Sequence, residues 1–274
     1  MERRLFGTSQ LIYVLVMIAI VVPYLVPLPL PLPISERTRE VYNYIEAVPP
    51  GGVILMIFDL SPGLLGELWD GAVAIARHVW SRPVKIVAIC SDANGPMYYE
   101  RIVEKTIDKH GKKYGEDYVM LGYLVASLPA YAGLGKSIRS ILTKDYYGKD
   151  LDSLPMMKTI DSYKDINLIV AIDWGSSWIV FIQTWAGPFG TPYVGCWTGV
   201  TISQLIAYYP HLVKGIVSGA RGAAEYERII GEPGMAAANA SVLSTTHVLV
   251  LAVIAAGNIK YFYERSKMKE RIAK

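Results

Sequence analysis

Apolar residues in this chain follow two rhythms. Two long, nearly unbroken apolar runs stand at 11–26 (LIYVLVMIAIVVPYLV) and at 242–259 (VLSTTHVLVLAVIAAGNI). Between them, short runs that are apolar on both faces alternate with stretches in which apolar residues recur at helical spacing. A run of roughly 17–25 residues is long enough to cross a bilayer as a helix. The terminal runs therefore predict two transmembrane helices around one folded domain.

Within the domain, Ser35 can cap a helix that Pro49, Pro50, Gly51 and Gly52 stop after Val48. Strand-length apolar runs follow at 53–59 (VILMIFD), 84–90 (VKIVAIC), 117–124 (DYVMLGYL), 166–173 (INLIVAID) and 192–198 (PYVGCWT). Helical spacing predicts helices over 64–81, 96–110, 137–142 and 175–186, with closing helices over 202–213 and 220–230. The stretch 125–163 reads as a long excursion with little regular strand. Strands apolar on both faces, alternating with helices, are the signature of a parallel sheet covered on both sides. The expected fold is α/β: a single open, mostly parallel sheet of about five strands with helices on both faces, Rossmann-like or flavodoxin-like, flanked by two transmembrane helices. The expected organisation is an N-terminal anchor and Pro-rich spacer over 1–34, an extracytoplasmic domain over 35–239, and a C-terminal span with a basic tail over 240–274.

Flanking charge sets the expected sidedness. Arg3 and Arg4 precede the first run, and Lys260, Arg265, Lys267, Lys269, Arg271 and Lys274 follow the second. Lys and Arg concentrate on the cytoplasmic side of short flanks, which places both termini inside and the domain outside. Tyr261, Phe262 and Tyr263 fall where an interfacial aromatic belt would lie. A cleaved signal peptide is the competing reading of the first run. No small-residue cleavage site follows it, however. Instead comes PLPLPLP (27–33), a stiff polyproline spacer.

The net charge of +3 is a topology signal. Without the flanks, which hold eight basic and three acidic residues, the middle keeps 19 basic and 21 acidic residues, a balance of −2. That excludes a basic nucleic-acid footprint. The expected partners are the lipid bilayer and a second copy of the chain or an envelope protein. Only three Gln and five Asn occur, a depletion of thermolabile amides that points to a thermophilic source. Cys90 and Cys196 each end a strand-like run, and either a disulfide or two buried thiols fits them. No Cys/His cluster has zinc spacing and no cofactor is expected.

Four stretches bear on chemistry. Residues 130–137 (AYAGLGKS) fit a relaxed phosphate-binding-loop pattern, but Ala130 replaces the first Gly and Pro129 intervenes after the strand. A helix start whose glycines make a turn is the simpler reading. GIVSG (215–219) is not a nucleophile elbow, because its Ser is off-centre. His78, His110 and His211 have no Ser or Asp partner nearby in sequence and read as surface or helix-end residues. His247, with Thr245 and Thr246, lies in the second run, where interhelical hydrogen bonding accounts for such polar groups. The best candidate is a rim of aspartates. Three strand-like runs end in or just before an aspartate, Asp59, Asp92 and Asp173, each followed by turn residues, among them Asn94 and Ser176. In an open α/β sheet, ligands bind beyond the carboxyl ends of the strands. Asp59, Asp92, Asn94, Asp173 and Ser176 are therefore the expected ligand-binding cleft, with Trp174, Trp178 and Trp197 as possible walls. The competing reading is that each Asp caps the next helix.

DYYG (145–148), SLPMM (153–157) and GARGAAEYE (219–227) resemble an uncharacterised family of prokaryotic proteins with the same anchor–domain–anchor layout. That resemblance implies the architecture and no catalytic residues. LSPG (60–63), RPV (82–84) and NGPMYY (94–99) also resemble membrane-anchored signal-peptide-peptidase-like serine proteases. Asn94 stands where their nucleophile would be, so a Ser activated by Lys cannot operate. That kinship implies an inactive enzyme or binding module, and a shared βαβ cadence explains it more simply. Two function classes follow. One is a non-enzymatic, membrane-anchored extracytoplasmic module for self-assembly or for binding an envelope partner or ligand. The other is an extracytoplasmic hydrolase or metal-dependent enzyme that uses the aspartates.

Overall fold

The structure, a computed structural model, describes residues 7–26, 33–107, 110–232 and 234–272. The proline spacer lies outside the described residues apart from Pro33, as do Arg3, Arg4 and Lys274. In chain order the elements are α1 (Thr8–Leu25), α2 (Glu36–Glu46), β1 (Val53–Asp59), α3 (Leu65–Ser81), β2 (Lys85–Cys90), α4 (Gly95–Thr106), β3 (Tyr118–Tyr123) and α5 (Leu128–Lys136). After an excursion with three short 3-10 turns come β4 (Leu168–Asp173) and α6 (Ser177–Phe181). A π-helical turn (Ile182–Ala186) runs from α6 into α7 (Gly187–Phe189). Then follow β5 (Tyr193–Trp197), α8 (Gly199–Leu205), β6 (Val213–Ser218), α9 (Gly219–Ile230) and α10 (Ala236–Ile272).

The chain divides into two compact units, one over Leu32–Ala236 and one that joins Met1–Pro31 to Ala237–Lys274. In the first unit six parallel strands form one sheet in the order β3-β2-β1-β4-β5-β6. That is the doubly wound order, with the switch point between β1 and β4. The expected α/β parallel sheet is present, with six strands rather than five. The sixth, VKGIVS, falls where the helix pattern over 202–213 was expected to end. Gly215 interrupts its apolar pattern and is there for packing. A Cβ there would stand 2.6 Å from Val41 N, so glycine lets α2 lie directly on β6.

Each face of the sheet carries its own core. Ile54, Met56, Phe58, Ile86, Ala88, Val170 and Val194 pack with α2, α3, α4 and α9. Leu55, Ile57, Val87, Ile89, Ile169, Ala171 and Ile216 pack with α5, the excursion and the α6–α8 side. The period-2 alternation of a strand buried on both faces explains this division. The excursion is held by Arg139, which donates to Asp152 at 2.7 Å, to Asp161 at 2.9 Å and to the Ile160 carbonyl at 3.0 Å. The expected helix over 137–142 is absent; α5 precedes it, and Ser137 ends α5 in extended conformation.

Cys90 and Cys196 are buried free thiols. They lie on β2 and β5, with β1 and β4 between them, a separation of about 14 Å at the usual strand spacing and too far for a disulfide. His78 stands in the last turn of α3, a helix end as expected, but is buried rather than at the surface: Nδ1 meets Tyr226 Oη at 2.6 Å and Nε2 meets Glu46 Oε1 at 2.9 Å. These contacts tie α2, α3 and α9 together. Burial lowers the His78 pKa, against the pull of Glu46.

In the second unit, α10 contains one stretch, Ala236–Met268, long and apolar enough to cross a membrane. The apolar part of α1, Ser9–Leu25, is shorter. Among the described residues, one helix therefore meets that standard where two were expected.

Candidate functional site

The site begins with the strand register. Ile57 pairs with Ala171, Phe58 with Ile172, and Asp59 with Asp173. Asp59 and Asp173 are thus neighbours at the carboxyl ends of β1 and β4. The chain leaves β1 toward β2 and leaves β4 toward β5, on opposite sides, so the turns diverge and leave a crevice. A cavity of about 420 Å³ opens there.

The floor of the cavity is a network of carboxylates and hydroxyls. Asp59 Oδ1 accepts from the amides of Ser91 (2.5 Å) and Asp92 (3.0 Å). Asp59 Oδ2 accepts from the hydroxyls of Ser91 and of Ser177, the latter at 2.8 Å. Asp173 Oδ1 accepts from the Gly175 amide at 2.6 Å. Asp173 Oδ2 accepts from the Trp178 amide at 3.0 Å and lies 2.7 Å from Ser177 Oγ. Capping is therefore part of what Asp173 does. Asp59 does something else, since it clamps the β2 end to the β1 end.

One hydroxyl stands between two buried carboxyls, 2 % and 1 % exposed. Ser177 Oγ has a single proton and cannot donate to both. When both contacts are hydrogen bonds, one carboxyl must be the donor. Asp59 receives four donors and is the better-stabilised carboxylate. Asp173 is pushed up to about 7, first by burial and then by the charge of Asp59. Burial also raises Asp59, against its hydrogen bonds from Ser91 and Ser177. Ser177 Oγ can thus relay a proton between the two carboxyls, donating to one while it accepts from the other. Two buried carboxyls bridged by one hydroxyl titrate as a pair.

Of the expected site residues, Asp59, Asp92, Asp173 and Ser176 line the cavity, with Ser91, Ser177 and Gln204 beside them. Asp92 stands at the rim and accepts the Trp174 indole N–H at 2.9 Å. Asn94 does not line the cavity; its amide and side-chain nitrogen hold Asp92 Oδ1 at 2.7 and 3.0 Å. Trp174 and Trp178 are walls, whereas Trp197 is buried in the core. Ser91 and Ser177 went unrecognised as site residues, although Ser177 directly follows Ser176 in the turn after β4. Only the register that brings Asp59 beside Asp173 reveals what Ser177 bridges.

The amides at these strand ends, which in nucleotide-binding sheets cradle phosphate, are already bonded to Asp59 and Asp173. Among the lining residues there is no Lys, Arg or His. Among the described residues no three His, Cys, Asp or Glu side chains converge to hold a metal ion. The glycines of the 130–137 stretch lie inside α5, not in a loop. A Cβ on Gly133 would meet Ile141 at 2.7 Å and one on Gly135 would meet Phe189 at 2.7 Å. They allow close packing and offer no phosphate cradle. Comparison with family models, with curated proteins and with solved structures finds no match to this chain.

Proposed function

We propose that this chain is a membrane-tethered α/β module that binds a small neutral or cationic ligand in the cleft between the ends of β1 and β4. The observation that carries this reading is the cleft itself: a cavity at the switch point, walled by Trp174 and Trp178 and lined by three carboxylates with no basic side chain. A ligand bearing phosphate or carboxylate would meet charge of its own sign over amides that are already satisfied. Hydroxyl, amide and ammonium groups suit the carboxylates and the indole face. The tether is α10, and α1 is read as a second span. The basic residues after 259 support cytoplasmic termini and an outward-facing domain. Resemblance to the anchor–domain–anchor family belongs to the same proposal.

A second reading is favoured by the proton shared through Ser177: the module is a hydrolase in which Asp173 and Asp59 act as an acid–base pair. An acid poised near neutral pH is what such chemistry requires. The acid–base form of this reading is preferred to a metal-dependent one, because among the described residues no three His, Cys, Asp or Glu side chains converge.

The test is a thermal-shift screen of the full chain in detergent against small polyols, amides, amines, phosphates and carboxylates. Stabilisation by members of the first three classes, lost in Asp92→Asn, is expected. Stabilisation by anions alone would overturn the proposal. Turnover that disappears in Asp173→Asn while binding persists would select the hydrolase.

A further inference from the structure

Pro23 lies inside α1. Proline has no amide hydrogen, so the carbonyl four residues earlier, that of Ala19, loses its helical partner. In water the solvent replaces it. In hydrocarbon nothing does, and a proline is tolerated in a span where a neighbouring helix supplies the missing donor. Here the donor is present. Thr245 Oγ1, on α10, lies 2.7 Å from Ala19 O. Its other two acceptors, the carbonyls of Ser241 and Val242 on its own helix, are longer at 3.0 Å each. A threonine in a helix ordinarily bonds back to its own preceding turn, so a shorter bond to another helix departs from that habit.

The exposure pattern of the two helices agrees. On α1 the less exposed positions are Ile12, Val16, Ala19 and Pro23, at the spacing of one helix face. On α10 the half-buried positions beyond Ser244 include Thr245, Leu249 and Val253, again one face. With Thr245 level with Ala19, an antiparallel arrangement sets Leu249 level with Val16 and Val253 level with Ile12. The residues facing away, such as Tyr13, Met17, Val248 and Leu251, are exposed at 60–68 %, as lipid-facing side chains are.

We infer that α1 and α10 form an antiparallel hairpin in the bilayer, with Thr245 fixing the register by bonding the carbonyl that Pro23 leaves open. This inference rests on reading both helices as spans. On that reading α1 is a structural partner of α10, and Thr245 is a positioning residue. His247, two positions on, is exposed and plays no part in the lock.

Disulfide cross-linking of the full chain in lipid vesicles tests it, since Cys90 and Cys196 are buried. Val16→Cys with Leu249→Cys should cross-link under mild oxidation, and Tyr13→Cys with Leu251→Cys should not. Thr245→Val should slow the Val16–Leu249 cross-link about threefold to tenfold, the size of one interhelical hydrogen bond in a membrane. Thr245→Ser should restore it. In a Pro23→Ala background residue 23 regains its amide, so Thr245→Val should have little effect. Equal effects of Thr245→Val with and without Pro23, or cross-linking of the outward-facing pair instead, would overturn the lock. Alkaline washing reads the membrane claim separately. A chain that washes off the vesicles yet keeps the Val16–Leu249 pattern would overturn the spans and leave the pairing standing.

Discussion

Asp59 and Asp173 end adjacent parallel strands in register, and one hydroxyl, Ser177 Oγ, stands 2.8 Å from the first carboxyl and 2.7 Å from the second. The topology places this pair. Only at the switch point do two neighbouring strands send their following turns in opposite directions, leaving their last side chains beside a cavity rather than under a helix. Anywhere else in the sheet two buried carboxyls would be a plain cost; here they carry a proton that a bound molecule could reach.

Stability should depend on pH through Asp173. Its pKa is raised from 3.8 to about 7, so the folded protein holds a proton that the unfolded chain has lost over that window. The stabilisation is complete below the unfolded value and is lost as pH rises through the folded one, by at most about 1.4 kcal/mol per pH unit. Chemical denaturation of wild type and Asp173→Asn between pH 4 and 8 isolates this effect. The difference between the two should shift in favour of the variant as pH rises.

Asp59 and Asp92 should differ in what their removal costs. Asp59→Ala strands two amides and two hydroxyls and should cost on the order of 3–5 kcal/mol. Asp92→Ala loses the Trp174 indole and Asn94 at a half-exposed rim and should cost about 1 kcal/mol or less. Urea midpoints at constant slope measure both, and equal costs would contradict the division into floor and rim.

Gly95→Ala tests how tightly the cleft is built. A Cβ at residue 95 would lie 2.3 Å from the Phe58 carbonyl and 2.6 Å from Cys90 Cβ. Backbone cannot yield as a flexible side chain can, so the substitution should cost about 3 kcal/mol or more and shift the start of α4. Circular dichroism melts of the purified chain give the cost.

Lys136→Ala should leave stability within about 0.5 kcal/mol of wild type. Lys136 is exposed at the end of α5, where its neighbouring glycines are packed in the helix. No change in ATP retention on a filter assay is expected. ATP binding lost in this variant would show that the stretch works as a phosphate loop after all.

The sequence carried the sheet well because its strands are buried on both faces. VILMIFD and KIVAIC are apolar except for Asp59 and Lys85 at their ends, and VILMIFD became β1 without a residue gained or lost. The sixth strand was hidden by Gly215, a poor strand former whose use is the close approach of α2. The aspartates were visible because each closes or soon follows an apolar run. The role of Ser177 was not, because it depends on a contact with Asp59, 118 positions away. The burial of His78 was hidden for the same reason: its partners Glu46 and Tyr226 lie on other helices, 32 and 148 positions distant.

Carbon-13 NMR of the aspartate side-chain carboxyls, followed from pH 4 to 9 in the full chain in micelles, reads the shared proton directly. Asp173 should titrate near 7, and Ser177→Ala, which removes the hydroxyl standing between the two carboxyls, should shift that midpoint. Both carboxyls fully ionised by pH 5, with no response to Ser177→Ala, would contradict the relay and the chemistry proposed for the cleft.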